Sequence, residues 1–111
     1  MITELDTDPK SAIKDIDLAV VVFYAPWCGD CKTSEEFESK LIQEFSDIIQ
    51  FYRLDAVNLE DIADSYGVER YPTYVFFKKG KALRGNLVEP VEYGEAKNWV
   101  EIQIEKSKRL R

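Results

Sequence analysis

The chain has no histidine and only two cysteines among its 111 residues. A structural zinc site needs about four protein ligands and a catalytic one about three, so only a dimer sharing its cysteines could complete one. Positive charge is in deficit as well. Fifteen Lys and Arg stand against 21 Asp and Glu, giving a net charge of −6 and a pI near 4.7. That balance repels phosphate backbones and anionic lipid surfaces alike, so nucleic acid and membrane are excluded as expected partners. No long hydrophobic run occurs either. The run Leu18 to Ala25 is far shorter than the roughly 20 residues that span a bilayer. The segment Met1 to Leu18 carries Glu4, Asp6, Asp8, Asp15 and Asp17, without the apolar stretch of a signal peptide. Repeats, low-complexity tracts and linkers are missing too. With 45% hydrophobic and 13% aromatic residues, a chain of this length buries one core. The expectation is a single domain over residues 1–111, monomeric, soluble and cytoplasmic.

What is present is an alternation of strand-like and helix-like segments. Asp8-Pro9 supplies an N-cap and a first-turn proline for a short helix carrying Ala12, Ile13 and Ile16. Leu18 to Tyr24 is β-branched and aromatic without polar alternation, the pattern of a strand covered on both faces. From Cys31 to about Phe45, the residues Phe37, Leu41 and Phe45 recur every fourth position and predict an amphipathic helix. Ile48 to Leu54 reads as a further strand. Asn58 is placed to cap a short helix that stops at Gly67. Thr73 to Phe77 and Lys81 to Leu87 read as a hairpin turning at Lys79-Gly80, and a last helix runs from about Val91 to Lys106. A strand ahead of the first helix is left open. The order predicts an α/β fold with a central mixed β-sheet and helices on both faces. Phe23, Tyr24, Phe37, Phe45, Phe76 and Trp99 are the expected core aromatics. The carboxylates read as solvated faces, with no acid/base pair among them.

Chemistry concentrates in Pro26-Trp-Cys-Gly-Asp-Cys-Lys32, between the strand ending at Tyr24 and the long helix. Free backbone N–H groups and the positive end of a helix dipole favour thiolate over thiol there. Cys28 is the candidate nucleophile. Cys31, one turn on, is placed to attack a mixed disulfide formed at Cys28. Three blander readings stand beside this one. A structural disulfide closing so small a loop would add only about 2 kcal/mol, against about 3 kcal/mol for a 15-residue loop. A metal or cluster site would need the dimer described above. Two inert cysteines three positions apart are the third, because a bare C-x-x-C spacing is weak evidence.

The surroundings add weight. Phe23-Tyr-Ala-Pro-Trp-Cys-Gly-Asp-Cys-Lys32 resembles the active-site segment of the thioredoxin superfamily, including the domains of protein disulfide isomerases. Gly67-Val-Glu-Arg-Tyr-Pro-Thr73 with Phe76-Phe-Lys-Lys-Gly80 is similar to that superfamily's second signature, and the resemblance spans essentially the whole chain. It implies a thioredoxin-like fold and a cis-proline at Pro72. From the residues alone Pro72 reads as trans, since about 5–6% of X–Pro bonds in folded proteins are cis. The resemblance further implies that Trp27, Gly29, Tyr71, Pro72 and Val88 form an apolar lip for a target polypeptide.

Some positions depart from the family pattern. The acid usually buried beneath the cysteines is Val22 here. Arg53 stands near a common lysine and reads as a solvated strand-end charge. Glu36 replaces a helix-kinking proline, and Val88 replaces a groove-side glycine. Asp30 stands where thioredoxins usually carry proline and disulfide isomerases histidine. Its charge, ~7 Å from Cys28 at an effective dielectric of ~40, opposes the thiolate by roughly 1 kcal/mol; equally, it serves as a favourable first-turn residue of the helix. The basic tail Lys106, Lys108, Arg109 and Arg111 reads as a complement to a helix C-terminus.

These features predict a thiol–disulfide oxidoreductase that reduces protein disulfides through a Cys28–Cys31 dithiol/disulfide pair. No bound cofactor is implied, and a thioredoxin reductase-type or other dithiol donor would reset the pair. A disulfide oxidase or isomerase and a non-turnover polypeptide-binding module are the alternatives.

Overall fold

A computed structural model describes residues 2–27 and 29–109, without the side chains of residues 29–31. In chain order the elements are β1 (Thr3–Leu5), α1 (Pro9–Ala12), β2 (Leu18–Tyr24), α2 (Gly29–Phe45), β3 (Gln50–Asp55), α3 (Glu60–Ser65), β4 (Thr73–Lys78), β5 (Lys81–Ala82), β6 (Leu87–Val88) and α4 (Tyr93–Ser107). The main path of the sheet is β1-β3-β2-β4-β5. β1 and β2 run parallel to β3, whereas β4 runs antiparallel to β2, so the sheet is mixed.

Adjacent residues of the central strands feed opposite cores because side chains alternate across a strand. Val20, Val22, Tyr74 and Phe76 point to the side covered by α2 and α4, where they meet Phe37, Leu41, Phe45, Ala96, Trp99 and Val100. Ala19, Val21, Phe23, Val75 and Phe77 point to the other side, against Ile13, Ala63 and Val68. Helices therefore cover both faces, as the strand without polar alternation predicts.

Several boundaries differ from the sequence reading. β1 completes one edge of the sheet, pairing Thr3 to Leu5 with Tyr52 to Leu54. α2 begins at Gly29 rather than Cys31. Asn58 does not cap α3: Leu59 occupies that position without a side-chain bond, while Asp55 Oδ1 accepts from the amides of Val57 and Asn58 and closes the preceding turn. The expected strand Lys81 to Leu87 is two short pieces on the same edge of β4, with Gly85 at φ 88° between them. α4 starts at Tyr93 instead of Val91. Asp8 caps α1 as expected, its carboxylate accepting from the Lys10 amide at 2.9 Å. The turn at Gly80 packs on that helix so closely that a Cβ there would lie 2.7 Å from the Lys10 carbonyl oxygen.

Candidate active site

The carboxyl end of β2 lies beside the start of β4, because Phe23 pairs with Thr73. Thr73 also pairs with Val88 of β6. One end of the sheet thereby gathers the Ala25–Trp27 turn, the first turn of α2, the Tyr71-Pro72 segment and Val88. The Tyr71–Pro72 bond is cis, the isomer implied by the resemblance and opposite to the reading of the residues alone. The Pro72 carbonyl accepts from the Glu89 amide at 2.8 Å, tying the segment to β6.

Trp27 is 71% exposed and Val88 46% exposed; Tyr71 is half-buried and Pro72 buried. Trp27 and Val88 thus leave apolar surface in water at this end. Gly29, Asp30 and Cys31 form the first turn of α2, but their side chains, and Cys28 entirely, lie outside the described residues. The roles expected for Cys28, Cys31 and Asp30 accordingly rest on their positions in sequence.

Below this end, the face covered by α2 is not purely apolar. Val22, only 3% exposed, pairs laterally with Arg53 and Tyr74. Fully buried Ser34 lies 2.9 Å, hydroxyl to hydroxyl, from Tyr74. Its Oγ also donates to Glu38 Oε2 at 3.3 Å. Glu38 is half-buried, and burial pushes its carboxyl above the ordinary range. Arg53 and the Ser34 hydrogen bond oppose that shift, while Glu35 adds to it.

Arg53 is not the solvated strand-end charge expected from sequence. Its Nη2 lies 3.3 Å from Glu35 and its Nε 3.6 Å from Glu4. The guanidinium also sits 4.1 Å from the centre of the Tyr24 ring. The Tyr24 hydroxyl donates to Glu4 Oε2 at 2.8 Å. Burial first, and then this acidic partner, push the Tyr24 phenol up to about 12.

Sequence reasoning missed Ser34, Glu38 and Tyr74. The signal was present in part: extending the stripe of Phe45, Leu41 and Phe37 back along the helix reaches Ser34, a polar residue on the core-facing line. Among the described residues no group of three or more His, Cys, Asp or Glu side chains is placed to hold a metal ion, and no helix is long and apolar enough to cross a membrane.

Comparison with known proteins places this arrangement. The thioredoxin family model matches residues 2–101. Thioredoxin-2 of Saccharomyces cerevisiae is 38% identical over 86 residues, covering 75% of this chain and 82% of the yeast protein. Protein disulfide-isomerase A4 of Bos taurus is 40% identical over 77 residues, 67% of this chain but only 12% of the bovine protein. The oxidised structure of mitochondrial thioredoxin 3 from Saccharomyces cerevisiae superposes with a TM-score of 0.78 at 31% identity, covering 90% of this chain and 93% of that one. A family match over nearly the full length, on a sheet whose cis-proline segment adjoins the C-x-x-C helix, makes this chain a member of the thioredoxin superfamily.

Proposed function

We propose that this protein is a thiol–disulfide oxidoreductase that reduces disulfides of cytoplasmic proteins. The observation that supports the reading is that Gly29, Asp30 and Cys31, which follow Cys28 in sequence, form the first turn of α2, where the carboxyl end of β2 comes beside the cis-Pro72 segment. Backbone amides at a helix start stabilise thiolate. In this mechanism Cys28 thiolate attacks a substrate disulfide, forming a mixed disulfide and expelling one substrate thiolate. Cys31 then attacks the Cys28 sulfur, closing the Cys28–Cys31 disulfide and releasing the second substrate thiol. An external dithiol donor of the thioredoxin reductase type returns two electrons to the pair, and no bound cofactor takes part. Trp27, Gly29, Tyr71, Pro72 and Val88 hold the polypeptide, and Asp30 tempers the thiolate.

Reduction of insulin by dithiothreitol provides the test. Wild-type protein should accelerate precipitation of the insulin B chain, Cys28→Ser should abolish the acceleration, and Cys31→Ser should accumulate a mixed disulfide. No acceleration by the wild type would leave a polypeptide-binding module. Faster alkylation of Cys31 than of Cys28 at neutral pH would reverse the assigned roles.

A further inference from the structure

We infer that the edge of the sheet beside β5 is a docking site for an acidic, extended segment of a partner protein, which seats an apolar side chain in a cationic hollow there. The site stands independently of the dithiol reading. Residues 78–88 contain four Lys or Arg and no carboxylate, and residues 106–111 contain four more, again with none. The rest of the chain holds all 21 Asp and Glu against seven Lys and Arg. Positive charge is therefore gathered into two stretches.

The fold brings those stretches together around a hollow of about 470 Å³, lined by Lys81, Ala82, Leu83, Arg84, Lys106 and Arg109. The C-terminus of α4 draws its cation from elsewhere, since the Ser107 carbonyl accepts from Lys78 Nζ of β4 at 3.0 Å. Lys108 pairs with Glu105 on the helix itself. Lys106 turns instead to the strand, its Nζ donating to the Arg84 carbonyl at 3.3 Å. It lies over Gly85, where a Cβ would stand 3.1 Å from that nitrogen, so the absence of a side chain makes room for the ammonium. Among the described residues, Lys81, Arg84, Lys106 and Arg109 have no carboxylate within ion-pair distance. Like charges around one apolar hollow repel each other, and carboxylates placed among them relieve that repulsion.

The backbone favours an extended chain as the source of those carboxylates. β5 ends the path of the sheet. The Leu83 amide donates to the Phe76 carbonyl at 2.8 Å, and Ala82 stands opposite Phe77. Alternation along an antiparallel ladder then turns the N–H and C=O of Ala82 away from β4. Such a free edge pairs with an added strand. Ala82 packs on one core and Leu83 on the other, so the hollow lies across the edge and not on one face. A second hollow of about 390 Å³, reaching Tyr66 and Asn86, shares Ala82, Leu83 and Arg84 with the first. The edge is thus a track longer than a single small ion. A leucine or phenylalanine of the partner fills the apolar floor, and flanking carboxylates meet the four cations. A membrane or nucleic acid would also press its anions on the surrounding acidic surface, which a short segment avoids. Lys81 pairs with Lys78 at the end of β4 opposite Thr73, roughly 17 Å away at ~3.3 Å per residue. A partner held there leaves the cis-Pro72 end clear.

The test is a nuclear magnetic resonance titration of the isotope-labelled full chain with the acetylated, amidated peptide Glu-Asp-Leu-Phe-Asp-Glu. Amide signals of Ala82 to Gly85 and Lys106 to Arg109 should shift and approach saturation by about 1 mM peptide, while those of Trp27 and Val88 stay in place. Reversing two cations together, by Arg84→Glu and Arg109→Glu, should weaken binding about tenfold or more, as should raising salt from about 0.02 M to about 0.3 M. Lys81→Gln should weaken it severalfold, and it decides the matter if the doubly reversed protein fails to fold. The neutral peptide Gln-Asn-Leu-Phe-Asn-Gln should leave the spectrum unchanged. No shift at this edge, or equal binding by folded charge variants, would overturn the site. Equal shifts with acetate or inorganic phosphate would reduce it to a small-ion site, and tighter binding of phosphatidylserine vesicles or a single-stranded oligonucleotide would assign it to another class of partner; either overturns the proposal. Movement of the same amides with protein concentration alone would give the edge to a second copy of this chain and overturn it likewise.

Discussion

The two faces of the central sheet are built from alternate residues of the same strands, yet their interiors differ. On the face under α1 and α3, the buried hydrophobic cluster is made of Ile13, Ala19, Val21, Phe23, Leu54, Ala56, Ala63, Val68, Val75 and Phe77, and the buried polar residue Thr73 shares that side of β4 with Val75 and Phe77. Polar atoms on that side make local or edge bonds: Thr73 Oγ1 donates to the Arg70 carbonyl at 2.6 Å, and the Tyr66 hydroxyl donates to Asp8. On the face under α2 and α4, Ser34, Gln103 and Ser107 are buried together with the hydroxyl of Tyr74. Gln103 Nε2 and Ser107 Oγ donate to the carbonyls of Arg84 and Ile104, which are local structural bonds. Ser34 and Tyr74 lead instead to a carboxylate. Burial of apolar area provides the main drive for folding on both faces, and the face under α2 and α4 adds a buried hydroxyl pair that ends on the half-buried Glu38.

The largest expected effect comes from forcing the same change on each face. Val21 and Val22 are neighbours in β2 that point to opposite sides. Val21→Asp should destabilise by about 4 kcal/mol or more, enough to unfold a domain of ordinary stability, because its lateral neighbours are Tyr52 and Val75, with no cation beside it in the register. Val22→Asp should fold, with a smaller loss of stability, because Arg53 and Tyr74 are its lateral neighbours. Urea denaturation of the two variants measures the contrast, and equal losses would show that the faces are not chemically distinct.

A smaller effect sharpens the comparison within one face. Tyr74→Phe keeps the ring against Trp99, whose centroid lies 6.2 Å away, and removes the bond to Ser34. It should cost about 1 kcal/mol in denaturant unfolding. A cost near zero would mean that the hydroxyl chain stores no net stability.

Much of this organisation was legible in the residues. The uninterrupted run of β2, the every-fourth-residue stripe on α2 and the turn at Lys79-Gly80 each follow from a single local rule, and all three elements are present, α2 with an earlier start. β1 was left open because Thr3–Leu5 is short and mostly exposed; it is a strand only by pairing with β3. The start of α2 was set two residues late, because its first turn carries no apolar periodicity. The C-x-x-C segment was readable from spacing and from resemblance. The Glu38 cluster was not, because it depends on Tyr74, which is 40 residues from Ser34 in sequence and joins it only when β4 packs under α2. A carboxylate on a helix rich in Lys and Glu looks solvated until tertiary packing covers it.

The smallest expected effect lies at the rim of the same face, where Tyr24 is bonded to Glu4 and stacked on Arg53. Its folded-state pKa of about 12 stands above the ordinary 10.0. The neutral phenol is therefore favoured by folding. Its contribution is full below pH 10.0 and is lost as pH rises through about 12. The site is largely open to solvent, so screening reduces the effect to under about 1 kcal/mol. Tyr24→Phe should flatten this part of the stability-versus-pH curve relative to wild type, and parallel curves would remove Tyr24 as its source.

The two tryptophans give the molecule a pair of independent optical reporters. Trp27 is 71% exposed and precedes Cys28 in sequence, whereas Trp99 is 9% exposed and donates through Nε1 to the Gly85 carbonyl. Emission from an indole in water lies to the red of emission from one in a packed interior, so a single spectrum contains a component from the rim of the site and another from the core. Quenchers dissolved in the buffer reach the first and are kept from the second. Changes around Trp27 and loosening of the interior can therefore be followed in the same cuvette, without an attached dye.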